Sequence, residues 1–177
     1  CDRLLDTAAE MFVAKGINNV SVEDLLKAVG ISRATFYGFF ANKTELAANI
    51  LLPVFDSGIE LLAQPQSSEP RTLAKQLIDM YLELWHKHRH ALLLTSMVDS
   101  SMFKYIKAPH DEFGAAILEV LGVIAEQGFL RNGSASLSYL VLAKTGIPLL
   151  RLYQNQPNFE TIYRESMLAL LLTDKAA

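Results

Sequence analysis

Apolar residues recur every three to four positions along most of the chain, and nowhere do they alternate one by one over the length of a strand. That period is the mark of helices with one buried face. Leu4, Leu5, Ala8, Phe12 and Val13 share a face and predict a first helix over about 2–15, ended by Gly16, with a connector at 17–20. Short helices are predicted from Ser21 to Val29 and from Arg33 to Phe40, and a longer one starts near Lys43, with Pro53 inside its pattern as a kink. Gln64–Pro70, rich in Pro, Ser and Gln, reads as a loop. Leu73, Leu77, Tyr81, Leu84 and His88 then predict a helix over 71–90, and 91–107 reads as one broken or two short helices interrupted at Asp99–Ser101. Pro109 is expected in the first turn of a further helix that carries Phe113, Ile117, Val120, Leu121 and Ile124 to about Gly128. A loop at 131–136, a strongly apolar helix over 137–153, a loop at 155–158 and a last helix from Phe159 to Leu171 complete the pattern. The expectation is an all-α chain of about nine helices, with no internal repeat and no coiled-coil heptad.

The pattern is tightest over SVEDLLKAVGISRATFYGFFANKTEL, Ser21 to Leu46. Ser21 stands before Leu25, Leu26 and Val29 with Asp24 three residues on, an N-cap signal. Gly30 stops that helix, because glycine tolerates the left-handed conformation just past a helix end. Ser32 caps the next helix, and Asn42 the one after, with Glu45 at capping-box spacing. Helix, short glycine-containing turn, helix is the helix-turn-helix arrangement, whose second helix can enter the major groove of DNA.

The spacing of Ala8, Ala9, Phe12, Gly16, Val22, Gly30, Ile31, Ser32, Thr35, Tyr37, Phe40, Lys43 and Leu46 resembles the N-terminal domain of the TetR family of bacterial transcriptional regulators. The resemblance covers roughly the first fifty residues. It implies an all-α homodimer with a helix-turn-helix DNA-binding head, here 1–46, and a helical ligand-binding and dimerisation body, here 47–177. It also implies that Arg33, Ala34, Thr35, Tyr37, Gly38 and Phe39 face DNA, with Ser21, Ser32 and Lys43 at helix starts where phosphates are gripped. The chemistry agrees: an arginine can donate two bonds to guanine, and hydroxyl, ammonium and backbone N–H groups suit phosphate oxygens. The sequence departs from the family pattern at Leu26, where alanine is common, and at Gly38 and Phe39, where large polar residues are common. Glycine has no side chain to read a base and Phe39 offers only apolar contact, so direct readout is expected to rest on Arg33 and Thr35.

Charge runs against this picture. The 177 residues carry a formal net charge of −3, and residues 1–49 hold five basic and six acidic side chains, whereas nucleic-acid binding usually shows a basic footprint. A groove-facing surface can be basic while its domain is not. Hydrophobic residues make up 51%, yet no run is pure and long enough to span a bilayer, so no membrane partner is expected. Cys1 is the one cysteine, which precludes an intrachain disulfide and suits a reducing cytoplasm. It is followed at once by Asp2 and Arg3, so no signal peptide is expected here, and with no initiator Met the true N-terminus is expected upstream.

In the body, Tyr81, Trp85, Met97, Met102, Phe103, Phe113 and Tyr139, with His88 and Thr145 as polar groups, match the usual make-up of a small-molecule site. For each taken singly, plain core is the competing role. The last two helices are apolar on more than one side, and Leu140, Val141, Ile147, Ile162, Ser166 and Leu170 are expected to form a two-fold dimer interface. His86, His88 and His90 raise a metal site, since His86 and His90 share a face. No cysteine or second carboxylate motif joins them, so they are read as a cationic helix end, and no metal or cofactor is expected. No glycine-rich phosphate loop, HExxH or GxSxG motif is present. The reading is therefore a cytoplasmic, ligand-responsive regulator, a repressor that holds operator DNA and is released by a small, mostly apolar effector. The alternatives are a helical interaction or ligand-binding protein with weak or lost DNA binding and, behind it, an all-α enzyme.

Overall fold

The computed structural model describes residues 2–64 and 67–173. Cys1, and Pro65 and Gln66 of the expected loop, lie outside the described residues. Eight α-helices follow in order: α1 Asp2–Lys15, α2 Val22–Val29, α3 Arg33–Phe39, α4 Lys43–Leu62, α5 Pro70–Leu94, α6 Ser100–Glu126, α7 Ala135–Tyr153 and α8 Phe159–Leu171. Short 3₁₀ turns occupy Ile17–Asn19 and Thr95–Met97. Among the described residues there is no β-strand, only an isolated bridge between Leu130 and Leu172.

Two predicted boundaries move. Pro109, expected at a helix start, lies inside α6, which begins instead where Asp99 caps it: Asp99 Oδ1 accepts the backbone N–H of Ser101 at 2.9 Å and of Met102 at 3.0 Å. The helix tolerates the missing N–H of Pro109. The helix predicted over 71–90 runs on to Leu94 and bends at His88, whose φ of −130° and ψ of 33° are not helical.

The chain divides into two compact units. The first comprises the described residues up to Phe55 together with His88–His110, and the second comprises Asp56–Lys87 and the residues from Asp111 onward. In the first unit α1 buries Leu4, Ala8 and Phe12 of the predicted face and Ala9 beside it, while Leu5 and Val13 of that face are only half-buried; Leu25, Phe36, Phe40 and Leu46 are buried along the following helices. Leu92, Leu94, Met102 and Ile106 are buried in the same unit. Asn42 Nδ2 donates to the Tyr105 hydroxyl at 3.4 Å, and the rings of Phe55 and Phe103 both meet His110 edge-on. These contacts tie α4 to the first part of α6.

In the second unit Leu73, Leu77, Tyr81, Leu84 and Trp85 of α5 are buried, as are Ile117, Leu121 and Ile124 of α6. The short connection at 154–158 folds α8 back along α7 as an antiparallel pair, in which Thr145 Oγ1 lies 3.8 Å from Met167 Sδ and the hydroxyls of Tyr153 and Ser166 are 3.3 Å apart. The end of α8 is tied to the loop after α6 by backbone bonds from Arg131 N–H to Leu171 O and from Thr173 N–H to Phe129 O. Gly58 exists as glycine for a packing reason: a Cβ there would stand 2.4 Å from Cε2 of Phe113.

Candidate DNA-binding interface

The interface is built around α2, its turn and α3. Ser21 Oγ accepts the N–H of Asp24 at 3.1 Å, and Asp24 Oδ2 accepts the N–H of Ser21 at 3.0 Å, closing the capping box that the sequence predicts. The Ser21 hydroxyl, followed by its backbone N–H, holds the Asp24 carboxyl below the usual range. At the other end Gly30 adopts φ 74°, ψ 37°, and the N–H groups of Gly30 and Ile31 both reach Leu26 O, at 2.9 and 3.2 Å. This left-handed cap turns the chain sharply into α3. Ser32 Oγ then accepts the N–H of Thr35 at 3.0 Å and lies 2.8 Å from Thr35 Oγ1.

One side chain of α3 is buried: Phe36, fully so, stacked edge-on to Tyr37 and followed by buried Phe40 just past the helix. Arg33, Ala34, Thr35, Tyr37, Gly38 and Phe39 are all exposed. Tyr37 is 51% and Phe39 54% exposed, large values for aromatic rings beside a packed core. Every α3 position implied to face DNA therefore faces outward, and Ser21 and Ser32 are exposed beside them.

The cations are arranged in a way that spacing did not reveal. The Arg33 guanidinium pairs through Nη2 with the Glu23 carboxylate of α2. Lys43 is half-buried and its Nζ donates to the Val20 carbonyl at 2.6 Å, fastening the start of α4 to the connector before α2. An ammonium has three donors, so this bond leaves capacity for a phosphate. Asn42 Oδ1 caps the N–H of Glu45 at 2.8 Å, but the Glu45 carboxylate takes the N–H of Ala41 at 2.7 Å and so closes one residue earlier than a standard box.

The expected ligand residues fall in both units. His88, Met97, Met102 and Phe103 belong to the first, with Met102 buried and Met97 exposed. Tyr81, Trp85, Phe113, Tyr139 and Thr145 belong to the second. There the buried Tyr81 ring comes within 3.1 Å of where a Cβ on Gly146 would be, the Tyr139 hydroxyl approaches Gly114, and Phe113 lies over Gly58. Burial, and then Tyr139, pushes the Tyr81 phenol up. Sequence reasoning missed Tyr163 and Ser138: both are fully buried, and neither hydroxyl has a hydrogen-bond partner among the described residues. Burial, and then Tyr81, raises the Tyr163 phenol as well. A separate cleft of about 280 Å³ in the second unit is lined by Leu61, Leu62, Gln64, Gln76, Asp79, Met80 and Glu83, none of them an expected ligand residue.

Of the expected dimer residues, Leu140 is 54% exposed and Val141, Ile147, Ile162, Ser166 and Leu170 are partly exposed. His86 Nε2 lies 3.0 Å from Glu160 Oε1, and among the described residues no three metal-ligating side chains gather. No helix among them is long and apolar enough to cross a membrane.

The sequence profile described as "Bacterial regulatory proteins, tetR family" matches residues 4–50. The chain is 28% identical over 88 residues to the HTH-type transcriptional regulator EthR of Mycolicibacterium smegmatis, a match covering 48% of this chain and 41% of that protein. The chain thus spans about two fifths of the length of the curated relatives it matches first. Across nearly its whole length it shares a fold with the TetR family transcriptional regulator PfmR of Thermus thermophilus, with a TM-score of 0.74, 22% identity and coverage of 96% and 97% of the two chains. The same holds for AibR, solved in complex with isovaleryl coenzyme A and operator DNA, with a TM-score of 0.76, 13% identity and 97% coverage of each. A capped helix-turn-helix with an outward-facing second helix carries, over residues 4–50, the sequence profile of the tetR family of bacterial regulatory proteins, and the chain as a whole shares the all-helical fold of solved regulators of that family.

Proposed function

We propose that this chain is a cytoplasmic, ligand-responsive transcriptional regulator, a homodimeric repressor that grips operator DNA with residues 1–46 and is released by a small, mostly apolar molecule held in residues 47–177. The observation that carries the reading is α3: a helix anchored by Phe36 alone, with Arg33, Thr35, Tyr37 and Phe39 all directed outward. A short helix that exposes two aromatic rings and its one cation is built to touch something, and a capped helix-turn-helix offers that surface to a groove. Arg33 supplies base readout, while Tyr37 and Lys43 supply phosphate contacts.

The ligand half of the reading draws on the Tyr163 phenol and the Ser138 hydroxyl, fully buried polar groups in an apolar interior that a bound molecule would satisfy. AibR, with its acyl-coenzyme A and operator, is a regulator of this fold that holds both partners. Coupling has a path inside the first unit: residues 100–110 of α6 contact Phe55 of α4 and Asn42, which caps the start of α4 next to Lys43. A ligand that shifts α6 would shift the phosphate-gripping end of α4, provided that ligand and DNA prefer different positions.

The test is an electrophoretic mobility shift with the intergenic DNA upstream of the gene, at low and high salt. A retarded complex that weakens steeply with salt is expected. Arg33→Ala should cost about 1–3 kcal/mol and relax specificity at one base position. A folded chain that retards no duplex at low salt would replace this reading with a helical ligand-binding protein that has lost DNA binding.

A further inference from the structure

Arg33 opens α3 and is its one charged residue; Glu23 is the second residue of α2. They are ten positions apart, yet the sharp turn at Gly30 brings the guanidinium onto the carboxylate. Both side chains are more than half exposed, 64% for Arg33 and 51% for Glu23, and the exposed Tyr37 lies one helical turn along the same face of α3 as Arg33. A carboxylate on a surface meant for phosphates is a cost in electrostatics, the more so in a head whose acidic residues already outnumber its basic ones. Such a residue calls for a compensating role.

Guanidinium chemistry supplies one. Arginine presents five N–H donors in a flat, fixed fork. The contact to Glu23 uses Nη2 and leaves an edge of the fork that matches O6 and N7 of guanine. A carboxylate bound to one side fixes the fork's plane, which reduces the freedom lost when the base contact forms. The same negative charge repels a phosphate that approaches the guanidinium. The two effects point the same way, toward the base edge and away from the backbone.

We infer that Glu23 is a positioning residue for DNA specificity: its contact with Arg33 aims the guanidinium at a guanine edge and bars it from phosphates. This rests on the proposed DNA-binding function. Arg33 bound to Glu23 contributes to the cognate complex and little to non-cognate ones. Freed of Glu23, it swings to the nearest phosphate on any sequence.

The experiment uses the full chain and two duplexes of equal length, one selected by the wild-type chain from a randomised pool and one of random sequence. Glu23→Gln keeps the size and an acceptor but removes the charge. Its thermal transition should stay near wild type, since an exposed pair adds little to stability. Affinity for the random duplex should rise, affinity for the selected duplex should hold or fall, and their ratio should drop about fivefold or more, the low end of what one bidentate arginine–guanine contact discriminates. The logarithmic salt slope on the random duplex should steepen by about one phosphate contact. In an Arg33→Ala background, Glu23→Gln should change neither the ratio nor the slope, because Glu23 acts through Arg33. An unchanged ratio in Glu23→Gln, or an equal change with Arg33 absent, overturns the inference while leaving the DNA-binding function standing. A wild-type chain that selects and binds no duplex overturns both.

Discussion

At the scale of single residues, the capping box of α2 is the interaction most open to a pH test. The Asp24 carboxylate accepts from the Ser21 backbone and hydroxyl, and its pKa is lowered by them. A carboxyl depressed in the folded state contributes stability that is present above its unfolded pKa, about 3.9, and is lost as pH falls through the lower folded value. Asp24→Ala should therefore lower the melting temperature at pH 7, and the gap from wild type should close as both are titrated below about pH 4. Melting curves followed by circular dichroism across that range check this; a gap that persists in acid would place the effect of Asp24 elsewhere than in its charge. The cap was legible because it is local: Ser21, Asp24 and the helix between them sit within four positions. The Arg33–Glu23 pair was not, because nothing in the spacing of two residues ten apart says that Gly30 turns one onto the other. Nor could pattern alone show that Lys43 holds the Val20 carbonyl, a contact across twenty-three positions.

At the scale of elements, α3 divides sharply between one buried ring, Phe36, and two exposed ones, Tyr37 and Phe39. Phe36 is fully buried and Phe39 is 54% exposed, three residues apart on a seven-residue helix. Phe36→Ala should destabilise the head by about 3–5 kcal/mol, the range for truncating a packed aromatic core residue. Phe39→Ala should leave stability within about 0.5 kcal/mol of wild type, as a surface change does, and weaken DNA binding instead. Chemical denaturation together with a mobility shift separates the two, and a Phe39→Ala variant that unfolds early would mean that this ring packs rather than reads. Helix existence was legible throughout, since the 3.6-residue period survives in every element. Boundaries were less so where local and tertiary preferences disagree. Pro109 is at home in a first helical turn, but Asp99 already supplies a cap ten residues earlier, and α6 continues through the proline with Phe103 and Phe55 set around His110. His88 gives no propensity signal for a bend, and the bend in α5 was not foreseen.

At the scale of the whole molecule, the open quantity is how many chains make the functional unit. The antiparallel pair α7 and α8 buries Ser138, Leu142, Gly146 and Leu150 from one helix and Tyr163, Met167 and Leu171 from the other. What remains outside is still apolar: Leu137 is 47%, Leu140 54% and Leu152 67% exposed, and Val141, Ile147, Ile162 and Leu170 are partly exposed. The breadth of the apolar pattern along 137–153 was visible in the sequence; which side it left uncovered was not, because a helix drawn alone does not say which of its faces its own chain will cover. Under the function proposed above, an apolar surface of this kind is a place for a partner, and we propose a second copy of the chain, which would meet it with the same residues about a two-fold axis. The proposed DNA binding asks for the same arrangement, since one head would read a single half-site. Light scattering at low micromolar concentration should give twice the chain mass. The double substitution Leu140→Asp and Leu170→Asp should give a folded monomer, because charges facing each other across a two-fold axis repel and lose their water. Its affinity for an operator with two half-sites should fall by about a hundredfold or more, the loss expected when two linked contacts become independent ones. Its affinity for a duplex with one half-site should stay within a factor of a few. A wild-type monomer, or a double variant that remains dimeric and binds both duplexes as before, would move the interface away from α7 and α8.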